Sequence, residues 1–396
     1  MKTLSHLLPV IGVLLSVSMA LADELVRFVE PDAERGRSAA VLVRDSTLAH
    51  TAQVLGSPNL SMDEQINQVI ATLDKTLARA ESSLARTIKL NVYVTAPNIV
   101  DQVDRKLAKV FNGSHKPAVS WVTTRFPDPK TRVAMDAVGI SRNTKPTVEG
   151  HCYRTHCRDE GCRVSTLPIG PRVYISGQAE KGDGSLAGAT RETMAGLIKT
   201  LNFLGLSTRD VVHLKAFVQP YSNRDTVVSR ISLALQSDAP PISVVEWESS
   251  IFIEIELIAA APVQQQTRET PSIEFLTPPW MTVSPVFCRI VRVNHPATIF
   301  ISGLYGATDS PDSVEEVRDL YGSLRRIAEA SGSDLQHLAK ATYYVSTDEV
   351  SNQLNVVRPE FYDPERPPSA SKAKVRGTGR TGRTITLDMI AVPKGL

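Results

Sequence analysis

Two periods of hydrophobic and polar residues alternate along this chain, and the switch between them recurs. In FIEIELIAAA (252–261), Ile253, Ile255 and Leu257 share one face of a strand, while Phe252, Glu254, Glu256 and Ile258 share the other. The second face is acidic in its middle and apolar at both ends, which predicts a contact surface toward another sheet or a pocket. RVAMDAVGI (132–140) and TITLDMIAV (384–392) end in the same rhythm, with Asp136 and Asp388 where Glu256 stands. Ahead of each lies a helical stripe: Ile70, Leu73 and Leu77; Met194, Leu197, Ile198 and Leu201; Tyr321, Leu324 and Ala328. Ser61 with Glu64 and Ser313 with Glu316 predict capping boxes for the first and third of these helices; the second lacks that signal.

Strand-like segments KLNVYVT (89–95), HLKAFVQ (213–219) and KATYYVS (340–346) follow the helices. Leu73, Leu197 and Leu324 are spaced by 124 and 127 positions, and Val94, Val218 and Val345 keep the same two offsets. A second helix then spans about 99–111, 225–235 and 350–361, each ending before a proline. After it come KPAVSWV, PPISVVE and PPSASKA, with Ser120, Ser243 and Ser371 in register, and then the acidic strand. Upstream, LAHTAQ, YISGQA and FISGLY place Thr51, Ser176 and Ser302 at steps of 125 and 126. Each unit reads β-β-α-β-α-β-β, a two-layer α+β sandwich with helices over one sheet face. The polar, proline-containing stretches 141–150 and 263–272 read as linkers.

The remaining composition narrows the setting. In 396 residues, 44 Lys and Arg against 42 acidic residues give a net charge of +2, which points to no polyanionic partner, so nucleic acid is not expected. Lys2, the apolar stretch from Leu7 to Met19 and Ala20-Leu21-Ala22 read as a signal peptide over residues 1–22, which places the mature chain in the periplasm or outside the cell. An uncleaved anchor would need about 20 apolar residues, more than this stretch has, so no membrane association beyond the leader is expected. HCYRTHCRDEGC (151–162) gathers Cys152, Cys157 and Cys162 with His151 and His156. Their spacing differs from the paired C-x2-C of structural zinc sites, and export favours disulfides, with Cys288 as a further partner in any of three connectivities. KAKVRGTGRTGR (372–383) leads into a strand rather than a helix, so it reads as a solvated basic hairpin instead of a phosphate loop.

Taken together, K-x-x-x-[YF]-V, P-x-x-S, I-S-G-Q and I-E-I-E-x-I-A resemble the RidA (YjgF) family over almost the whole mature chain. The units fall at 23–143, 144–266 and 267–396; the middle one matches best, and the first, supported by TRFP (124–127), is the most diverged. The resemblance implies three tandem chorismate-mutase-like sandwiches forming an intramolecular pseudo-trimer within a monomeric chain, with ligand clefts between neighbours. It also implies hydrolysis of imine or enamine intermediates to a keto acid and ammonia, without metal or cofactor. In that family the P-A-R-S arginine grips the substrate carboxylate and the first glutamate of I-E-I-E positions water. Here the arginine position holds Val119, Ile242 and Ala370, and the glutamate position holds Ala134, Glu254 and Thr386. Losing a desolvated bidentate contact costs about 2–5 kcal/mol, a factor of about 30 to several thousand in binding.

Two roles fit Glu254: a water-orienting acid in one surviving pocket, or a hydrogen-bonded carboxylate at a sheet interface. The second acid, at Asp136, Glu256 and Asp388, recurs in every unit and reads as an assembly residue. Arg163 and Arg289 each lie 14 residues before the serine of I-S-G, on a strand that lines the cleft in the family. They are candidate substitutes for the lost arginine, beside Ser176 and Ser302, although a solvated arginine on an edge strand is the favoured reading of both. Some family members have been credited with ribonuclease activity, but no basic-aromatic surface in this sequence supports it. Three functional readings follow. The chain binds a small carboxylate-bearing metabolite, hydrolyses imines through Glu254, or acts as a scaffold with filled clefts.

Overall fold

The computed structural model describes residues 25–142, 163–236, 239–263, 270–306 and 312–395, together with the backbone of 154–155. The predicted leader and the cluster from His151 to Cys162 lie outside the described residues.

The elements run in three successive blocks of mixed α and β structure. In the first are β1 (Val26–Asp32), β2 (Arg37–Arg44), β3 (Leu48–Thr51), β4 (Val54–Leu55), α1 (Met62–Ala78), β5 (Thr87–Val94), α2 (Val100–Val110), β6 (Ala118–Thr123) and β7 (Val133–Ile140). The second has β8 (Arg154–Thr155), β9 (Val164–Leu167), β10 (Arg172–Gln178), α3 (Leu186–Phe203), β11 (Val211–Val218), α4 (Arg224–Leu235), β12 (Ile242–Glu246) and β13 (Ile253–Ala260). The third has β14 (Ile273–Leu276), β15 (Ile290–Val293), β16 (Ala297–Leu304), α5 (Ser313–Ala330), β17 (Leu338–Val345), α6 (Asp348–Val357), β18 (Ser369–Lys374) and β19 (Ile385–Ala391).

Within each block four strands hydrogen-bond in the order β6-β5-β7-β3, β12-β11-β13-β10 or β18-β17-β19-β16. The outer pairs β5·β6, β11·β12 and β17·β18 are parallel, which is why a helix must cross between their strands. Strands from another block then extend each set: β9 pairs with β3 (His50 opposite Ser165), β15 with β10 (Tyr174 opposite Val291) and β2 with β16 (Phe300 opposite Val41). The last pairing returns the amino-terminal hairpin to the carboxy-terminal block, so strand pairing links the blocks in a closed circuit.

Side-chain alternation decides what each sheet face meets. Ile253, Ile255 and Leu257 lie in one core with Met194, Leu197 and Leu201 of α3 and Val227 and Ile231 of α4. Ile258, on the opposite face of β13, joins Val138, Tyr174, Val291 and Phe300 in a second core where sheets of different blocks meet. Burying each such side chain contributes about 1.5–3 kcal/mol, so both faces are committed to packing.

Local signals are mostly kept, with two corrections. Ser61 and Glu64 form the full capping box of α1. At α5 the cap is Asp312, whose carboxylate accepts from Val314 N–H; Ser313 is already helical and its hydroxyl donates to Glu349 at 2.9 Å. Glu316 instead accepts from Thr384 N–H at 2.8 Å, tying α5 to the start of β19. The basic segment after β18 is also less solvated than its composition suggests. Gly377 pairs with Thr123, and Gly379, at φ +78°, lies so close that an added Cβ would sit 2.4 Å from the Trp121 side chain.

Candidate functional site

Glu254 stands on the inter-sheet face of β13, at the mouth of a cleft of about 610 Å³ walled by β10, β18 and the β14–β15 connection. The strand register shifts between Ile175 and Gln178, a bulge that brings Gly177 against the acid. A Cβ at 177 would lie 1.9 Å from Glu254 Oε1, so any larger residue here would displace the Glu254 side chain. From the third block, Ser371 Oγ accepts the Gly177 N–H at 3.1 Å and hydrogen-bonds the Glu254 carboxyl. Burial pushes that carboxyl up to about 7, with Glu256 adding to the rise, although Ser371 and Lys372 oppose it. The group retains some solvent access, yet its dense surroundings set its titration near neutrality.

Three cations line the same cleft. Arg289 donates from Nε to Thr282 O at 3.2 Å and its guanidinium lies 4.7 Å over the Phe287 ring. Arg358, just beyond α6, lies 5.4 Å over the Tyr343 ring, and Lys372 projects from β18. Burial, then the Arg358 charge, lowers the Lys372 pKa, while Glu254 opposes the drop. Among the described residues none of these cations has a carboxylate within salt-bridge distance. Three positive groups thus face one half-titrated acid, an arrangement that favours an anion.

The corresponding junctions of the other blocks differ. Between the third block and the first, Ser302 Oγ donates to Ser38 O at 2.6 Å and accepts from Val119 N–H at 2.8 Å, so the hydroxyl is fully engaged by backbone. Cations line that cleft as well: Arg37 faces Asp104 at 3.7 Å, Arg35 faces Asp32 at 3.2 Å and Arg326 pairs with Glu30, while Arg383 also lines it and Arg380 lies 5.5 Å over the Tyr305 ring. Between the first block and the second, Gln53 fills the gap: its Nε2 donates to Val244 O at 3.0 Å and its Oε1 accepts from Tyr221 OH at 2.9 Å.

Where β5, β7, β11, β13, β17 and β19 approach one another, a cavity of about 50 Å³ is lined by Lys89, Lys215 and Lys340 with Asp136, Glu256 and Asp388. Lys89 meets Asp388 at 2.7 Å and Lys340 meets Glu256 at 2.6 Å, each pair joining different blocks. Lys215 lies 3.9 Å from Glu256 and 3.8 Å from Asp388, while Asp136 accepts from Asn91, Tyr93 and Ser243, each at 2.7 Å. Burial opposes ionisation of Asp388, but Lys89, Lys215 and Lys340 outweigh it and hold the carboxyl well below its usual range. Burial drives the His50 and His213 imidazoles down to about 3, so both are neutral at ordinary pH.

Of the residues singled out in the sequence, Glu254 and Arg289 share one cleft, and Ser176 is buried next to it without lining it. Arg163 is elsewhere, its carbonyl accepting the Ala52 N–H at 2.8 Å where the second block joins the first. Cys288 is a free, buried thiol whose Sγ contacts Leu276 O and Ile290 O of its own hairpin, so it is not disulfide-bonded; the other three cysteines lie outside the described residues. Arg358 escaped the sequence reading, and Lys372 was read only as part of the basic hairpin, because neither occupies a family motif position. The buried lysines left a signal that could have found them: Lys89 and Lys340 stand at the lysine of K-x-x-x-[YF]-V, and Lys215 lies two positions beyond His213, which holds that place in the second unit. Among the described residues there is no metal-ligand cluster, and no helix is long and apolar enough to cross a membrane.

Comparisons with known proteins bear on part of the chain. No curated protein matches it. Solved structures similar to it include a YjgF-family member from Neisseria meningitidis (21% identity, 31% of this chain and 97% of that one, TM-score 0.24). A putative endoribonuclease from Thermotoga maritima (23% identity, 25% and 80%, TM-score 0.23) is another. RidA from Psychrobacter sp. is a third (19% identity, 24% and 79%, TM-score 0.23). The family model described as Endoribonuclease L-PSP matches residues 45–140, in the block whose motifs read as most diverged.

Proposed function

We propose that this chain is built from three tandem RidA/YjgF-type units closed into an intramolecular pseudo-trimer. Its Glu254 cleft binds a small carboxylate-bearing metabolite. The recurring element order and the circuit of exchanged strands support the assembly. The observation that carries the ligand class is the set of cations without carboxylate partners, Arg289, Arg358 and Lys372, beside Glu254. With Ala370 at the family's arginine position, those cations provide the positive charge from other walls of the cleft. The leader read in the sequence would make the protein an exported one.

Calorimetric titration of the purified chain with 2-oxobutyrate tests the reading. Binding that Arg289→Gln weakens about tenfold or more supports it; no heat of binding from any short-chain 2-oxo acid would remove it.

A second reading, imine hydrolysis, is favoured by the Glu254 carboxyl itself, since a group titrating near 7 is matched to proton transfer at neutral pH. Ammonia release from 2-iminobutyrate generated in situ, abolished by Glu254→Ala, would establish it. Release unchanged in the variant would dismiss Glu254 as its base.

A further inference from the structure

The three cations of the cleft are not equivalent. Arg289 reaches it from the β14–β15 connection, whereas Arg358 and Lys372 belong to the wall made by the end of α6 and by β18. Those two act as a pair: Asn355 Oδ1 accepts from Arg358 Nη2 at 3.3 Å and from Lys372 Nζ at 3.2 Å. Lys372 Nζ also donates to Ser351 O at 3.3 Å, so neutral oxygens hold both cations side by side without a counter-charge. Arg358 is only 6% exposed, and its Nε has no hydrogen-bond partner. A buried guanidinium with an unmet N–H is a costly arrangement unless an anion meets it.

Two carboxylates could have neutralised this wall, and neither does. Glu360, two residues beyond Arg358, is turned outward and holds Arg318 at 2.9 Å. Glu254 interacts with Lys372 but is itself shifted toward its neutral form. A ligand with one carboxylate, held at Arg289, would leave the Arg358 wall unmet. One with two carboxylates would meet both, and a planar guanidinium suits a carboxylate's two oxygens.

We propose that Arg358 and Lys372 form a second anion subsite, so that the cleft selects a dicarboxylic acid over a monocarboxylic acid of similar length. This inference rests on the carboxylate-binding reading of the cleft and specifies its ligand class. Arg358 contacts the distal carboxylate, and Lys372 bridges the space between that group and Glu254.

The test compares 2-oxoglutarate with 2-oxobutyrate by titration calorimetry on the whole chain. Wild type should bind the dicarboxylate about tenfold or more tighter, the discrimination that one guanidinium–carboxylate contact supplies. Arg358→Met should bring the two affinities to within about threefold of each other, by weakening 2-oxoglutarate more than 2-oxobutyrate. Lys372→Met, at a partly exposed position, should reduce the preference in a chain that folds normally, which keeps the test informative if Arg358→Met misfolds. Equal affinities in wild type, or a preference that survives both substitutions, would overturn the second subsite and leave the carboxylate reading standing. If neither acid binds, the carboxylate reading falls as well.

Discussion

Replacing Glu254 by glutamine should make the protein's stability less dependent on pH, and the direction follows from the cleft. The carboxyl titrates near its ordinary 4.5 in the unfolded chain and near 7 in the folded one, because burial disfavours the charged form. Between those values the folded state holds more protons, so stability falls as pH rises. The contribution is fully present below about 4.5 and is lost as pH passes through 7. A shift from 4.5 to about 7 corresponds to about 3 kcal/mol at most, and nearer 2 given that the carboxyl retains some solvent access. Glu254→Gln keeps the shape and abolishes the titration. Urea unfolding of wild type and variant at pH 4.5 and pH 8.5 measures the effect. Relative to wild type, the variant should gain about 2–3 kcal/mol on going to the higher pH. A difference that is the same at both pH values, or that grows in the opposite direction, would refute the buried, proton-holding description of Glu254.

Other substitutions test separate parts of the architecture. Gly177→Ala should displace the Glu254 carboxylate, since the added Cβ would lie 1.9 Å from its oxygen; 2-oxobutyrate titration should show loss of binding, with about 1–3 kcal/mol lost in urea unfolding. Lys340→Met should cost about 3–5 kcal/mol in denaturant unfolding because it strips Glu256 of its 2.6 Å partner, and adding Glu256→Gln should recover much of that loss. Gln53→Ala should cost about 1–3 kcal/mol by removing the acceptor of the buried Tyr221 O–H, without altering 2-oxobutyrate affinity, because that junction is not the binding cleft.

Fold and site were legible to different degrees, for physical reasons. Alternation exposes a strand's two faces, so the packing of Ile253, Ile255 and Leu257 under α3 could be read directly from their spacing. The exchange of strands could not, because β9, β15 and β2 are apolar enough to pair with either neighbour and their partners are fixed only by the closing circuit. In the cleft, the Glu254 position was visible from its motif, but its partners were not. Ser371 and Lys372 come from a strand more than 100 residues away, and Arg358 follows a helix whose sequence is unremarkable. The cap of α5 was misplaced by one residue because Asp312 and Ser313 both suit the position, and Ser313 finds Glu349 instead. The hairpin after β18 was read as solvated from its charge, whereas its glycines allow a close approach to Trp121 and Thr123.

The most direct measurement of the central claim is the stoichiometry of carboxylate binding, by calorimetric titration of the purified chain with 2-oxobutyrate at low ionic strength. One junction has cations without carboxylate partners around Glu254, one has Arg35, Arg37 and Arg326 matched by acids, and one is filled by Gln53. The account therefore predicts one site per polypeptide; three equivalent sites, or none, would contradict it.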